Sequence, residues 1–126
     1  MKILVFTEGT IFTHASWIGL PREEIVRRVK AGDAPGYAGT VSIGNAVEKL
    51  RAWQRQGALI SYLTSRREPE EVEQVRRVLR QCDLPQGKLL FRLPGEDYGA
   101  AAERSMPDIL IEVDCESIGG EVEMTY

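Results

Sequence analysis

The chain has 126 residues, a length that predicts one domain (residues 1–126) with a single hydrophobic core. Its composition is 43% hydrophobic and 28% charged, and the formal net charge of −3 gives no basic footprint for nucleic acid. The sequence contains no apolar run near the roughly 20 residues that a bilayer-spanning helix needs. We therefore expect a cytoplasmic protein that binds neither nucleic acid nor membrane.

Strand patterns and helix patterns alternate along the chain, which predicts βαβ units and a mainly parallel sheet. In chain order, the predicted elements are a strand from Lys2 to Phe6, a short amphipathic helix from Pro21 to Lys30, a helix from Asn45 to Gln56, a strand from Ala58 to Leu63, a helix from Glu70 to Gln81, a strand from Lys88 to Phe91, a helix from about Glu96 to Arg104 and a strand from Asp108 to Val113. The apolar runs in the first and last strands do not alternate with polar residues, so helices should cover both faces of the sheet. The sequence therefore predicts a three-layer α/β sandwich.

One connection is longer than the others. About thirty residues, an insertion at about 12–42, separate the first strand from the first core helix. Gly32 would close the short helix of this insertion, and the stretch from Gly32 to Gly39 predicts an irregular loop. The insertion could form a small lid above the sheet, or its helix could pack on the sheet edge.

Polar residues follow the first two predicted core strands. In an open parallel sheet, ligands bind beyond the carboxyl ends of the strands. After the first strand, Gly9 permits a tight turn, and the local backbone amides together with the Thr10 hydroxyl could hold an oxyanion. After the second, Thr64 and Ser65 precede Arg66, whose guanidinium could contact an anion. These hydroxyls could equally begin the turn that leads to the next helix.

Carboxylates follow the last predicted strand. Glu112 and Asp114 are two residues apart, so in a strand both side chains point to the same side. Together with Glu8 they could offer oxygen ligands to a hard cation such as Mg²⁺. His14 is the only histidine, which argues against catalytic triads and histidine-rich metal sites. The alternative is a solvated acidic loop.

The run from Ile3 to Phe6, followed by Thr7-Glu8-Gly9-Thr10, resembles the opening motif of the haloacid dehalogenase (HAD)-like superfamily. That resemblance implies a Rossmann-like α/β fold and a strand that ends Asp-x-Asp-Gly-Thr, with a nucleophilic first Asp. Here Phe6 stands at the position of the nucleophile, and Glu8 stands at the position of the second Asp. The resemblance therefore favours the fold and disfavours the usual phospho-aspartate chemistry.

Other segments extend the resemblance over nearly the whole chain. Thr64 matches the hydroxyl of the second HAD motif, while Glu112 and Asp114 match the magnesium-binding acids of the fourth. The stretches from Leu63 to Arg67 and from Cys115 to Gly120 are similar to those of small uncharacterised bacterial members. The Lys of the third motif is not evident in the helix before the last strand.

What the resemblance implies is a HAD-like protein without normal phosphatase activity. It would retain a pocket for phosphate and magnesium and would bind a small phosphorylated ligand or a partner protein. The implied phosphate-binding residues are Thr7, Gly9, Thr10, Thr64, Ser65 and Arg66, and the implied magnesium ligands are Glu8, Glu112 and Asp114. Two alternatives stay open. One is a phosphohydrolase in which Glu8 positions a metal-activated water, so that enzymatic activity is undecided. The other is a receiver-like domain, although Phe91-Arg92 stands where its phosphorylatable Asp would be.

Overall fold

A computed structural model of the chain describes residues 1–32, 38–64 and 66–111 and has an α/β architecture. Its strands are β1 (Lys2–Phe6), β2 (Phe12–His14), β3 (Thr40–Ser42), β4 (Leu59–Leu63), β5 (Lys88–Leu90) and β6 (Ile109–Ile111). Its helices are α1 (Arg22–Lys30), α2 (Ala46–Arg55), α3 (Pro69–Gln81) and α4 (Tyr98–Ser105), with a 3₁₀ turn at Ala15–Trp17. Every helix and core strand predicted from the sequence is present, with ends that differ by no more than two residues within the described ranges.

Four strands form one parallel sheet in the order β5-β4-β1-β6. The central strand β1 pairs in parallel with β4, where Ile3 lies opposite Ile60, and with β6, where Leu4 lies opposite Leu110. The predicted parallel sheet is therefore confirmed, and the arrangement is compatible with a Rossmann-like fold.

Alternate residues of these strands enter two separate apolar clusters, one on each face of the sheet. On one face, α2 and α3 cover the sheet through Leu50, Val72, Val75, Val78 and Leu79, which pack with Ile3, Val5, Ile60, Tyr62 and Leu89. On the other face, Ala101 and Ala102 of α4 pack with Leu4, Phe6, Leu63, Leu90 and Leu110. The unbroken apolar runs of the strands thus serve two cores, as their patterns predict.

The ends of the two long helices share one hydrogen-bond pattern. After α2, Gly57 adopts φ 98°, and the amides of Gly57 and Ala58 donate to carbonyl oxygens of the last helical turn. After α3, the same pattern is built on Asp83, a non-glycine residue with φ 63°. Arg51 donates to the Asp83 carbonyl at 2.6 Å and so ties this turn to α2. None of the helices in the described ranges is long and apolar enough to cross a membrane.

The insertion begins and ends in an antiparallel pair of strands that the sequence did not predict. Phe12 of β2 lies opposite Ser42 of β3, and His14 lies opposite Thr40. Phe12 is buried in the core beside α2, and Trp17 is buried too. The two ends of the insertion are therefore held together at the core. Part of the predicted loop from Gly32 to Gly39 lies outside the described residues, and a lid or edge-packing role stays a prediction.

Candidate functional site

The order of the strands locates the edge of the sheet where a ligand would bind. The chain runs from β1 to β4 and β5 on one side, then returns to β6 on the other side of β1. This reversal places the topological switch point between β1 and β6, at the carboxyl ends of the strands. Glu8 and Thr64 follow two neighbouring strands, β1 and β4, at the carboxyl ends of the strands, which we call the switch-point edge. The residues that follow β6 lie outside the described ranges.

The last residue of β1 is part of the core. Phe6 is 1% exposed and packs with Leu63, Leu90 and Leu110 on the α4 face of the sheet. A phenyl ring has neither a lone pair that could attack phosphorus nor an oxygen that could bind a metal. The position that the HAD resemblance assigns to the nucleophile is therefore occupied by a side chain of the hydrophobic core.

The loop after β1 is closed by hydrogen bonds within itself. The amides of Thr10 and Ile11 both donate to the Thr7 carbonyl oxygen, at 3.1 and 3.0 Å, and the Gly9 amide donates to Phe12 at 2.9 Å. Gly9 has φ 78°, which explains why glycine is favoured at this turn. These three amides thus already have acceptors, so an anion would reach the loop through other groups or after the loop opens.

Thr7 is turned into the protein. Its hydroxyl donates to the Leu63 carbonyl oxygen at 3.3 Å, its amide donates to the same oxygen at 3.1 Å, and the residue is fully buried. Both bonds fasten the start of the loop to the end of β4. Thr7 was predicted as a phosphate ligand, and a ligand would have to displace this inward bond to reach its hydroxyl.

A short, buried polar contact at this edge joins Glu8 to Thr64. The Thr64 hydroxyl donates to Glu8 Oε1 at 2.6 Å, and both residues are buried, Glu8 with 6% of its surface exposed. The same Thr64 oxygen accepts from the Arg66 amide at 3.2 Å. Two side chains that the sequence assigned to one site are therefore in direct contact. A phosphoryl oxygen would compete with Glu8 for the Thr64 proton.

In the loop after β4, Arg66 forms an ion pair with α3. The Arg66 guanidinium lies 3.5 Å from Glu71 in the first turn of α3, and both side chains are partly exposed. An exposed ion pair of this kind contributes little stability, so an anion could exchange with Glu71 at small cost. Ser65, another predicted hydroxyl of this site, lies outside the described residues.

The predicted magnesium ligands divide between described and undescribed parts of the chain. Glu8 lies at the switch-point edge, whereas Glu112 and Asp114 lie outside the described residues. Within residues 1–32, 38–64 and 66–111, no group of three His, Cys, Asp or Glu side chains is placed to hold a metal ion. A metal site that uses Glu8 with the two later acids stays a prediction.

No protein-family model, curated protein or solved structure matches this chain. A function is therefore inferred from the residues at the switch-point edge and from the resemblance of their motifs. Sequence reasoning did not single out Phe12, whose carbonyl oxygen closes the Gly9 turn. Its only signal was its apolar character at the start of a polar insertion.

Proposed function

We propose that the chain is a HAD-like binding domain without phosphatase activity, whose ligand is a small phosphorylated molecule held at the carboxyl edge of the sheet. Glu8 and Thr64 would recognise the ligand together with Arg66. The observation that carries the proposal is the pairing of a buried Phe6 with a retained Glu8–Thr64 contact of 2.6 Å. A site that keeps polar groups beside an apolar substitute for the nucleophile favours binding over covalent catalysis.

The chemistry of the edge supports phosphate over an uncharged ligand. The Thr64 hydroxyl offers a donor, and the Arg66 guanidinium is held by an exposed carboxylate that an anion could replace. Glu8 would oppose a phosphate unless a cation lies between them, which is the role that the HAD resemblance assigns to Mg²⁺. Binding should therefore be stronger with Mg²⁺ than without it.

Calorimetric titration with a panel of small phosphate esters, each with and without MgCl₂, tests this proposal. We expect saturable binding that Thr64→Val and Glu8→Gln weaken at least tenfold, since a charge-assisted hydrogen bond is worth about 1.5–3 kcal/mol. Thr13→Val, which removes a hydroxyl from β2 outside this edge, is the matched control and should bind normally. The absence of heat change across the panel with wild-type protein would count against a ligand pocket here.

The alternative is hydrolysis by a metal-activated water, and the same variants separate it from binding. A phosphohydrolase would release inorganic phosphate, and Glu8→Gln would abolish the release, because the carboxylate would position the water. In the binding proposal, wild-type protein and Glu8→Gln both leave the esters intact. The alternative is favoured only if wild-type protein hydrolyses an ester.

A further inference from the structure

The face of the sheet beneath α4 is covered only in its carboxyl half. Four side chains on this face, Leu4, Phe6, Leu63 and Leu90, are buried under the two turns of α4. Toward the amino ends of the same strands, the side chains on this face are Lys2, Leu59, Ser61 and Lys88. Leu59 is 64% exposed, so this half of the face is open.

An open cavity of about 270 Å³ lies over the uncovered half. Its polar lining residues are the cationic residues Lys2, Lys88 and Arg104 and the hydroxyl residues Ser61 and Ser105. Three cationic residues and no acidic residue line this cavity, although the whole chain has a net charge of −3. The local charge is therefore opposite in sign to that of the protein.

Two of these cations have no carboxylate partner within the described part of the chain. Arg104 is held by Glu96, at 3.1 Å, and by the carbonyl oxygen of Phe91. Among the described residues, neither Lys2 nor Lys88 forms a side-chain ion pair, although the Lys2 backbone amide donates to Asp108 at 2.7 Å. Within the described ranges, the two ammonium groups are therefore available to a ligand.

The register of the strands places the two lysines on either side of β4, on one face of the sheet. Lys2 lies opposite Leu59 and Lys88 lies opposite Ser61, so the two lysines are on either side of β4 and offset by two residues. From ordinary strand spacing and rise, we expect their Cα atoms to lie about 12 Å from each other. Because a long lysine side chain extends roughly 6 Å from its Cα, both lysines can contact one oxyanion above β4, where Ser61 lies between them in the register.

A simpler role for the lysines would be to neutralise the carbonyl end of α4. Two carbonyls of that end already have donors. The Ser105 hydroxyl donates to Ala102 at 2.9 Å, and the Met106 amide donates to Glu103 at 2.9 Å. The local structure thus satisfies these acceptors without either lysine.

We propose that this cavity is a second anion site, which binds a phosphate group between Lys2 and Lys88 above Ser61. It lies at the amino ends of the strands, at the opposite edge of the sheet from Glu8 and Thr64, and does not depend on the proposed function. Leu59 forms an apolar wall beside the cations, which suits a small organic phosphate better than a bare ion.

Amide chemical shifts recorded during a titration with inorganic phosphate test the site. We expect saturable shifts that centre on Lys2, Ser61 and Lys88, beyond those produced by sodium chloride at equal ionic strength. Lys2→Gln and Lys88→Gln should each raise the Kd about fivefold or more. Lys2→Arg and Lys88→Arg, which keep the charge, should bind within about twofold of wild type.

Two further variants make the result specific. Lys49→Gln removes a lysine from α2, on the other face of the sheet, and should leave the Kd unchanged. Thr64→Val alters the opposite edge and should also leave these particular shifts unchanged. The proposal is overturned if phosphate acts no differently from chloride. It is likewise overturned if Lys49→Gln weakens binding as much as Lys88→Gln does.

Discussion

Thr64 donates a 2.6 Å hydrogen bond to Glu8, and this contact joins the loops that follow two neighbouring strands. The two residues are 56 positions apart in the chain, yet both are buried at the switch-point edge of the sheet. Since Thr64 also accepts from the Arg66 amide, its hydroxyl has both a donor and an acceptor role. The contact therefore stabilises the edge in the unliganded protein. A ligand that binds the Thr64 hydroxyl would have to replace this hydrogen bond.

Removing the Thr64 hydroxyl should destabilise the fold measurably. Thr64→Val leaves the buried Glu8 carboxyl without this donor, which we expect to cost about 1–3 kcal/mol in the free energy of unfolding. Glu8→Gln keeps an acceptor oxygen and should cost less. Urea unfolding of Thr64→Val, of Glu8→Ala, which removes the acceptor, and of their double variant gives a coupling energy, which we expect at about 1–2 kcal/mol.

Additivity of the two substitutions would contradict a direct Glu8–Thr64 interaction in solution. Thr13→Val serves as the control for threonine removal, because Thr13 lies in β2 and is only half-buried. Its coupling to Glu8→Ala should be close to zero.

Phe6 should behave as a core residue. Phe6→Ala should destabilise the protein by about 3–5 kcal/mol, because it leaves a cavity beneath α4, whereas Phe6→Leu should cost less than about 1.5 kcal/mol. Phe6→Asp introduces a carboxyl at the position that the HAD resemblance assigns to the nucleophile but buries it among leucines, so it should be at least as destabilising as Phe6→Ala. Thermal unfolding of the three variants tests the order. A stable Phe6→Asp protein would show that this side chain does not pack in the core.

Two glycines differ in what an added methyl group would meet. A Cβ at Gly87, just before β5, would lie 2.2 Å from the Ile60 carbonyl oxygen, so the backbone of one of the two segments would have to move. Gly57 has φ 98° and open space around it. Gly57→Ala should therefore cost about 1 kcal/mol through backbone strain, and Gly87→Ala should cost roughly 2 kcal/mol or more. Equal unfolding free energies for the two variants would contradict the close approach of Gly87 to β4.

Alkaline pH should weaken the fold through Tyr62. Its hydroxyl donates to the Pro85 carbonyl oxygen at 2.6 Å. Burial raises the pKa of Tyr62 above its ordinary value of 10.0, and the Arg51 charge offsets only part of this rise. Because the folded state holds the proton more tightly, the stabilisation is complete below about pH 10 and is lost as the pH rises above it, by at most about 1.4 kcal/mol per pH unit.

The comparison with Tyr62→Phe isolates this residue from other groups that titrate at high pH. Unfolding free energies of both proteins, measured between pH 8 and pH 11, should converge or cross as the pH rises. At neutral pH the variant should be less stable by about 1 kcal/mol, because the Pro85 oxygen loses its donor. A constant difference across the whole pH range would show that the Tyr62 phenol is accessible to solvent.

Much of the architecture could be predicted because the strands are short apolar runs between clear turn signals. Gly57 predicts the end of α2, and Pro69 predicts the start of α3. The turn after α3 has Asp83 in the same left-handed conformation, and without a glycine the sequence does not predict this turn. The β2–β3 pair also escaped prediction, because two strands of three residues each carry no periodicity and their pairing depends on a distant partner.

The candidate site was predicted in position but not in detail. The rule that ligands bind at the carboxyl ends of parallel strands selected Glu8 and Thr64, and the structure places both at that edge. Their mutual hydrogen bond and the inward bond of Thr7 depend on side-chain rotamers and on the register of β1 against β4, which the sequence does not encode locally. Glu112 and Asp114 lie outside the described residues, so their place in a site stays a prediction.

The most direct test of the central claim is phosphorus-31 NMR of small phosphate esters mixed with the protein and Mg²⁺. The protein should carry Lys2→Gln and Lys88→Gln, so that only the carboxyl edge is examined. The proposed function predicts that this protein broadens the ester signals and that no inorganic phosphate signal grows. When the protein also carries Thr64→Val, the ester signals should stay sharp. Accumulation of inorganic phosphate that Glu8→Gln abolishes, or esters that never broaden, would contradict a phosphate-binding domain without phosphatase activity.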